Sequence, residues 1–232
     1  MANSEVIHNM AYEKILDVLH MNHVFEENMN EEVIKGRVEY LRKYNNKVYE
    51  DDKKQYIYSI ILFTLFVENV SLFSQFYIMM HLNRNRAVMK DCAQQVQYTR
   101  NEEMLHAQVG IKLIQTMRNE YPEYFDEEMV ARIREECIDS LKAESKVIDW
   151  IMGDYSVKGL NADILKSFIA YRMAESLDQI GFDSSEIKFD QELVNETFWF
   201  EEELLGANMT DFFQKRPVEY AKGQGITADD LF

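Results

Sequence analysis

The fold class this sequence predicts is all-α, a bundle of long helices, and three observations predict it. Only 2 Pro and 8 Gly interrupt 232 residues, so little in the chain punctuates long helices. Glu-x-x-His occurs twice, at Glu5 to His8 and at Glu103 to His106, and residues three apart share one face of a helix. Between the pairs, the strongly apolar run ILFTLFVENVSLFSQF carries one isolated acid, Glu68. Two such pairs on long helices, joined by single carboxylates from others, are what a carboxylate-bridged di-metal site in a helix bundle requires.

Taken in order, the chain opens with Asn3 or Ser4 as the cap of a helix that reaches about Leu19. Glu5, His8 and Tyr12 fall on one side of it. Residues 26–50 read as a second helix, with Val33, Val38, Leu41 and Val48 as core contacts. Lys53 to about Met80 is the most hydrophobic helix and is expected at the centre, because too few of its positions are polar for a solvated face. Asn83-Arg84-Asn85 reads as a break before a helix that carries Glu103 and His106 to about Met117. NEYPEYFDEE is a connection, with Pro122 near the start of the next helix. Helices are expected at 127–151, at 162–180 and around 191–205, separated by the loops GDYSVKGLN and GFDSSEI. The last residues, QKRPVEYAKGQGITADDLF, are poor in core side chains and read as a flexible tail. They close on Leu231 and Phe232, a pair that suits a docking peptide or a frayed end.

Composition narrows the function. A chain of this length can bury one sizeable core, and 47% hydrophobic with 28% charged residues is a folded composition. A net charge of −16 with no Lys/Arg stripe argues against a nucleic-acid backbone binder. The longest apolar run, Ile60 to Val67, is interrupted by Thr64 and followed by Glu68, so no membrane span is expected. Cys92 and Cys137 form no CxxC motif, which gives no sign of a zinc knuckle or a dithiol redox pair. No secretory signal pattern opens the sequence, and a reduced, cytoplasmic protein is the expectation.

One Glu-x-x-His pair is as readily a solvated helix face as a ligand pair. Two, together with Glu68 in the most apolar helix, favour a di-metal centre, since a buried carboxylate needs compensation. Carboxylate and imidazole suit iron and manganese alike. On this reading Glu68 and Glu103 bridge, Glu5 and His8 serve one ion, and His106 serves the other. Zinc normally takes fewer ligands, from HExxH or cysteine-rich patterns that are absent here. His20, His23 and His81 have no convincing partner spacing and are assigned to the surface or to local hydrogen bonds. Tyr12, one turn beyond His8, is by itself an ordinary packed tyrosine whose hydroxyl seeks a partner. Beside a metal centre it becomes a candidate for oxidation to a neutral radical.

These residues carry a specific resemblance. Glu5-x-x-His8-x-x-x-Tyr12, Glu68 within VENVSLFSQFY, and Glu103-x-x-His106 resemble, in order and separation, the motifs of the small, radical-generating subunit of class I ribonucleotide reductase. FIAYRMAESLDQIGF and MTDFFQKRPVEY resemble later stretches of the same family. The resemblance implies a ferritin-like bundle over residues 1–213 and a docking tail over 214–232. It implies a homodimer holding two iron or two manganese ions, and a separate large catalytic subunit to which an oxidising equivalent passes for deoxyribonucleotide synthesis. Glu5, His8, Glu68, Glu103 and His106 match metal ligands, and Tyr12 matches the radical-bearing tyrosine. Leu72 and Phe76 match the apolar pocket around that tyrosine, and Glu102 matches an acid that links a histidine ligand to the radical-transfer route. TRNEEMLH departs from the family's arginine-then-aspartate lead-in.

Two further departures shape the expectations. The family's remaining ligand, an Asp on a preceding helix, has no counterpart ahead of Glu5, nor has the aromatic residue of the radical route. A separate N-terminal polypeptide supplying the Asp is the favoured account. A truncated descendant that binds metal poorly, and a coordination position filled by water or another residue, are the competing ones. GITADDLF resembles the family's docking end, but no Tyr follows Tyr220, which leaves Tyr220 as the candidate relay. The function classes that compete are a ferroxidase or metal-storage bundle and an inactive structural fragment.

Overall fold

The computed structural model describes residues 2–42 and 52–202. The tail at 214–232, with Tyr220, Leu231 and Phe232, lies outside them, as does MTDFFQKRPVEY. Helices α1 (Ala2–Val18), α2 (Asn22–Asn28) and α3 (Glu32–Arg42) come first. A long helical stretch follows, made of α4 (Lys53–Leu62), a π-helical segment (Phe63–Ser71) and α5 (Phe73–Arg86). Then come α6 (Lys90–Glu120), a 3-10 turn (Pro122–Tyr124), α7 (Glu127–Met152), α8 (Ala162–Gln179) and α9 (Gln191–Asn195). Among the described residues no sheet forms, and Val157 and Leu160 pair only as an isolated bridge in the α7–α8 loop. The all-α expectation holds.

Short polar side chains start several helices by accepting from otherwise orphaned amides. Asp52 accepts from Gln55 N, Asp126 from Met129 N, Asn161 from Ile164 N, and Asp190 from Glu192 N and Leu193 N. Three expected boundaries move, and in one of them the helix expected around 191–205 gives way to a turn after Asn195. The single helix expected over 26–50 begins at Asn22 and is interrupted between Asn28 and Glu32, where Asn30 turns its amide back to the Glu26 carbonyl at 3.0 Å. The break expected at Asn83-Arg84-Asn85 falls instead at Ala87 and Met89, with φ of 53° and 54°. The asparagines terminate the helix rather than interrupt it. Asn83 accepts from Ala87 N through its carbonyl at 2.8 Å and donates its side-chain amide to Val88 O at 2.9 Å, while Asn85 bonds back to the His81 carbonyl at 3.0 Å.

The stretch from Lys53 to Arg86 is the centre of the bundle. Ile61, Leu62, Leu65, Phe66, Phe73 and Tyr77 are fully enclosed, and the stretch packs against α6 and α8. By length and hydropathy it could cross a bilayer, but 67% of its apolar window is buried within the protein and it carries Glu68 at its middle. α3 lies on α7, and α7 on α8. Contacts gather Met1–Phe198 into one compact unit; a second begins at Trp199, whose ring meets that of Phe200 edge-on at 5.8 Å. The expected domain boundary at 213 lies outside the described residues.

Gly110 lets α6 approach the π-helical segment closely. A Cβ there would lie 2.6 Å from Thr64 Cγ2, and Thr64 is 3% exposed with nowhere to retreat. Gly110→Ala is therefore expected to destabilise the fold by about 1–3 kcal/mol through overpacking, against the usual gain in helix propensity. Thermal or urea unfolding checks the sign.

Candidate metal centre

Three helical pieces converge on one cluster. α1 supplies Glu5 and His8, one turn apart on its inner side. His8 is 7% exposed, whereas Val6, Ile7 and Met10 beside it are exposed by more than half. α6 supplies Glu103 and His106 in the same one-turn arrangement, both buried. The π-helical segment supplies Glu68, at 2% exposure. Ligand-type atoms of Glu5, Glu68, Glu103 and His106 all lie within 4.8 Å of one another.

Each imidazole turns its Nδ1 into the cluster. His106 Nδ1 lies 3.2 Å from Glu5 Oε1, 3.3 Å from Glu68 Oε2 and 3.3 Å from Glu103 Oε2. His8 Nδ1 lies 3.1 Å from Glu103 Oε1 and 3.6 Å from Glu5 Oε2. Glu5 and Glu103 thus offer one oxygen to each histidine, while Glu68 faces His106. The sequence reading paired Glu68 with Glu103 as the carboxylates shared between both halves; here the shared pair is Glu5 and Glu103.

The outer nitrogens are also engaged. His8 Nε2 donates to Glu102 Oε2 at 2.8 Å, and His106 Nε2 meets Ser4 Oγ at 3.3 Å. Bonds of this kind fix ring orientation and tautomer, leaving the inner nitrogen's lone pair free for a cation. Sequence reasoning found Glu102 but read Ser4 as a candidate helix cap; α1 already runs from Ala2, and the Ser4 hydroxyl turns to His106 instead.

Glu68 shows what the cluster costs without a cation. Burial, then the hydrogen bond and charge of Glu103, then the charge of Glu5, push its carboxyl up to about 9. Glu68 Oε2 and His8 Nδ1 are buried without a properly directed hydrogen bond, despite the short N···O approaches. Such groups are rare unless something else compensates them. Two donor atoms at right angles about 2.1 Å from one ion lie about 3 Å apart, which matches the N···O spacings here. The mixed carboxylate and imidazole donors fit iron or manganese.

Tyr12 stands one turn beyond His8, its phenol oxygen buried without a well-formed hydrogen bond. Burial raises its pKa, Thr99 draws it back, and Glu103 raises it further. Thr99 is a residue the sequence reading missed. Leu72 is half-buried at the end of the π-helical segment, and Phe76 is 4% exposed. His20 and His23 are exposed; His81 is buried, stacked on Tyr77 and 3.2 Å from the Lys158 carbonyl. Cys92 and Cys137 are both free thiols.

Comparison with known proteins agrees with this architecture. A small subunit of ribonucleoside-diphosphate reductase from Invertebrate iridescent virus 3 is 25% identical over 240 residues, covering 97% of this chain. The chain spans 62% of that relative's length. A class I ribonucleotide reductase from Bacillus halodurans superposes with a TM-score of 0.74 at 22% identity, over 85% of this chain and 70% of the other. The ribonucleotide reductase R2 subunit of Clostridium botulinum gives 0.72 at 19% identity, over 87% and 63%. These likenesses establish the fold. Residues 1–185, which contain the whole Glu/His cluster and Tyr12, match the family described as ribonucleotide reductase, small chain, and the chain belongs to that family.

Proposed function

We propose that this chain is the radical-generating small subunit of a ribonucleoside-diphosphate reductase. The carrying observation is the pair of carboxylates, Glu5 and Glu103, that each face both His8 and His106, with the half-buried Tyr12 one turn away, its phenol oxygen enclosed. Glu5, His8, Glu68, Glu103 and His106 would hold a pair of iron or manganese ions, Glu5 and Glu103 from between the two imidazoles and Glu68 from the His106 side. When bound, the metal pair supplies the one-electron oxidant for Tyr12. Burial keeps the Tyr12 phenol neutral, so its oxidation releases a proton with the electron. The enclosing core withholds water and reductants from the resulting radical, which a large catalytic subunit draws on for deoxyribonucleotide synthesis. The subunit works as a homodimer.

The open side of the cluster beside Glu5 takes a further ligand or a covering partner surface. Two features support that assignment: Glu5 is 45% exposed although it belongs to the cluster, and the neighbouring Val6, Ile7 and Met10 present apolar surface. The same exposure of Glu5 also suits a ferroxidase, in which iron enters and leaves.

One experiment separates these readings. The full chain is combined with iron or manganese, and metal stoichiometry and the electron paramagnetic resonance spectrum are measured. A metal pair per chain and a tyrosyl signal are expected. Multiple-turnover Fe(II) oxidation with no large subunit and no radical would replace the proposal with the ferroxidase reading.

A further inference from the structure

The segment that carries Glu68 is gripped by two arginines that no metal chemistry requires. Residues Phe63–Ser71 bond in the wide i→i+5 pattern, and α5 resumes ordinary bonding at Phe73. A change of hydrogen-bond register leaves carbonyls at the junction in need of donors from elsewhere. The Asn69 carbonyl accepts from Arg172 Nε at 2.8 Å, and Asn69 Oδ1 accepts from Arg172 Nη2 at 2.5 Å. The Ser71 carbonyl accepts from Arg37 Nη2. These carbonyls lie one and three residues after Glu68.

Both guanidinium groups are themselves held. Arg172, from α8, is 7% exposed, and its guanidinium carbon sits 3.6 Å above the Phe73 ring. The Asn69 side-chain amide donates to Ser176 Oγ, which donates in turn to the Arg172 carbonyl at 2.7 Å. Arg37, from α3, places Nε 2.9 Å from Glu144 Oε1. Glu144 is 1% exposed on α7. Tyr40 donates to Glu144 at 2.6 Å and meets Ser71 Oγ at 2.8 Å. Burying Glu144 and Arg37 together is expensive, and a well-packed apolar pair would often be at least as stable. Stability alone therefore gives little reason for the arrangement.

We propose that Arg172 and Arg37 are positioning residues for Glu68. By engaging the carbonyls that follow it, they hold the segment in its wide turn. Rewinding it as an ordinary α-helix would rotate the Glu68 carboxylate relative to α6 and carry it away from Glu103 and His106. The clamp thus sets the geometry of one metal ligand without touching the metal. The inference rests on the metal-centre reading, because Glu68 has a geometry worth holding only as a ligand.

The test uses the full chain, with Mn(II) as the probe, and four variants: Arg172→Lys, Arg172→Met, Arg37→Lys and, as a surface control, Arg134→Lys. Mn(II) affinity and the paramagnetic resonance spectrum of the bound ions are read alongside hydrogen exchange of residues 63–72 in metal-free protein. Arg172→Met is expected to lose about 10–100-fold in affinity, the usual cost of removing support from a ligand. Arg172→Lys, which keeps the charge and one bond, falls between Arg172→Met and wild type, and Arg37→Lys also weakens binding. The bound-Mn(II) spectrum changes and exchange across 63–72 accelerates, while Arg134→Lys behaves as wild type. Unchanged affinity, spectrum and exchange in Arg172→Lys and Arg37→Lys would overturn the clamp, and these two variants decide the matter if Arg172→Met does not fold. A wild-type chain that takes up no Mn(II) overturns the metal reading instead. Exchange in the metal-free variants then reports on the clamp separately, faster exchange across 63–72 supporting it and wild-type rates overturning it.

Discussion

Tyr12→Phe is expected to load metal as the wild type does and to show no tyrosyl signal. The substitution removes one oxygen and keeps the ring that fills the space between α1 and α6. That oxygen's polar neighbour is the buried Thr99 hydroxyl, which also accepts from the Gln95 amide at 3.4 Å, so its loss does not leave Thr99 without a partner. Stability should change by less than about 1 kcal/mol. The electronic consequence is far larger, because phenylalanine has no phenolic proton to release and is much harder to oxidise. Burial and the Glu103 charge raise the Tyr12 pKa above its ordinary 10.0, so the wild-type phenol is neutral across the physiological range and the signal should not vary with pH there. A tyrosyl signal that survives in Tyr12→Phe would move the radical to another of the 13 tyrosines, such as Tyr40 or Tyr58, which are bonded to the carboxylates of Glu144 and Glu136.

The Glu/His cluster was legible because its signal is local. One helical turn separates the members of each Glu-x-x-His pair, and an isolated acid in an apolar run has few reasons to be there. Helix existence was legible for the same reason, through long periodic segments bounded by the connections NEYPEYFDEE and GDYSVKGLN. What the sequence withheld depends on three-dimensional phase. The π-helical turn at Phe63–Ser71 leaves no clear trace in residue pattern, and nor does the placing of Glu5, rather than Glu68, beside both histidines. Arg37, Glu144 and Arg172 were unread because each looks like a surface charge on an amphipathic helix. Arg172 did carry a hint, lying within FIAYRMA, where a solvated arginine would have apolar residues on every side. The asparagines at 83 and 85 were read as breakers, although the same side-chain amides can finish a helix by bonding back to it.

Glu68→Gln should separate stability from metal binding and make them move in opposite directions. Glutamine keeps the shape of a protonated glutamic acid and cannot ionise. With the Glu68 carboxyl pushed up to about 9 from 4.5, the metal-free folded protein holds a proton there that the unfolded chain releases. Stability from this group is fully present below about pH 4.5 and falls as pH rises towards 9, by at most about 1.4 kcal/mol per pH unit. Metal-free Glu68→Gln should therefore match the wild type near pH 5 and unfold at higher temperature than the wild type near pH 8. Metal reverses the order, because a cation displaces the proton and turns the same carboxylate into a ligand. The wild type should gain thermal stability on adding Mn(II) or Fe(II) and release about one proton from Glu68 at pH 7. Glu68→Gln should gain little, since a neutral amide is a poor substitute for a carboxylate beside His106. Calorimetry of the two proteins at pH 5 and pH 8, with and without Mn(II), reads all four states. Equal unfolding temperatures at pH 8 without metal would mean that Glu68 is ionised in the cluster, and equal gains with metal would remove it from the ligand set. A carboxylate buried at a cost in one state and used in another is what a ligand looks like before its ion arrives, and that asymmetry distinguishes Glu68 from Glu144, whose permanent partners are Arg37 and Tyr40.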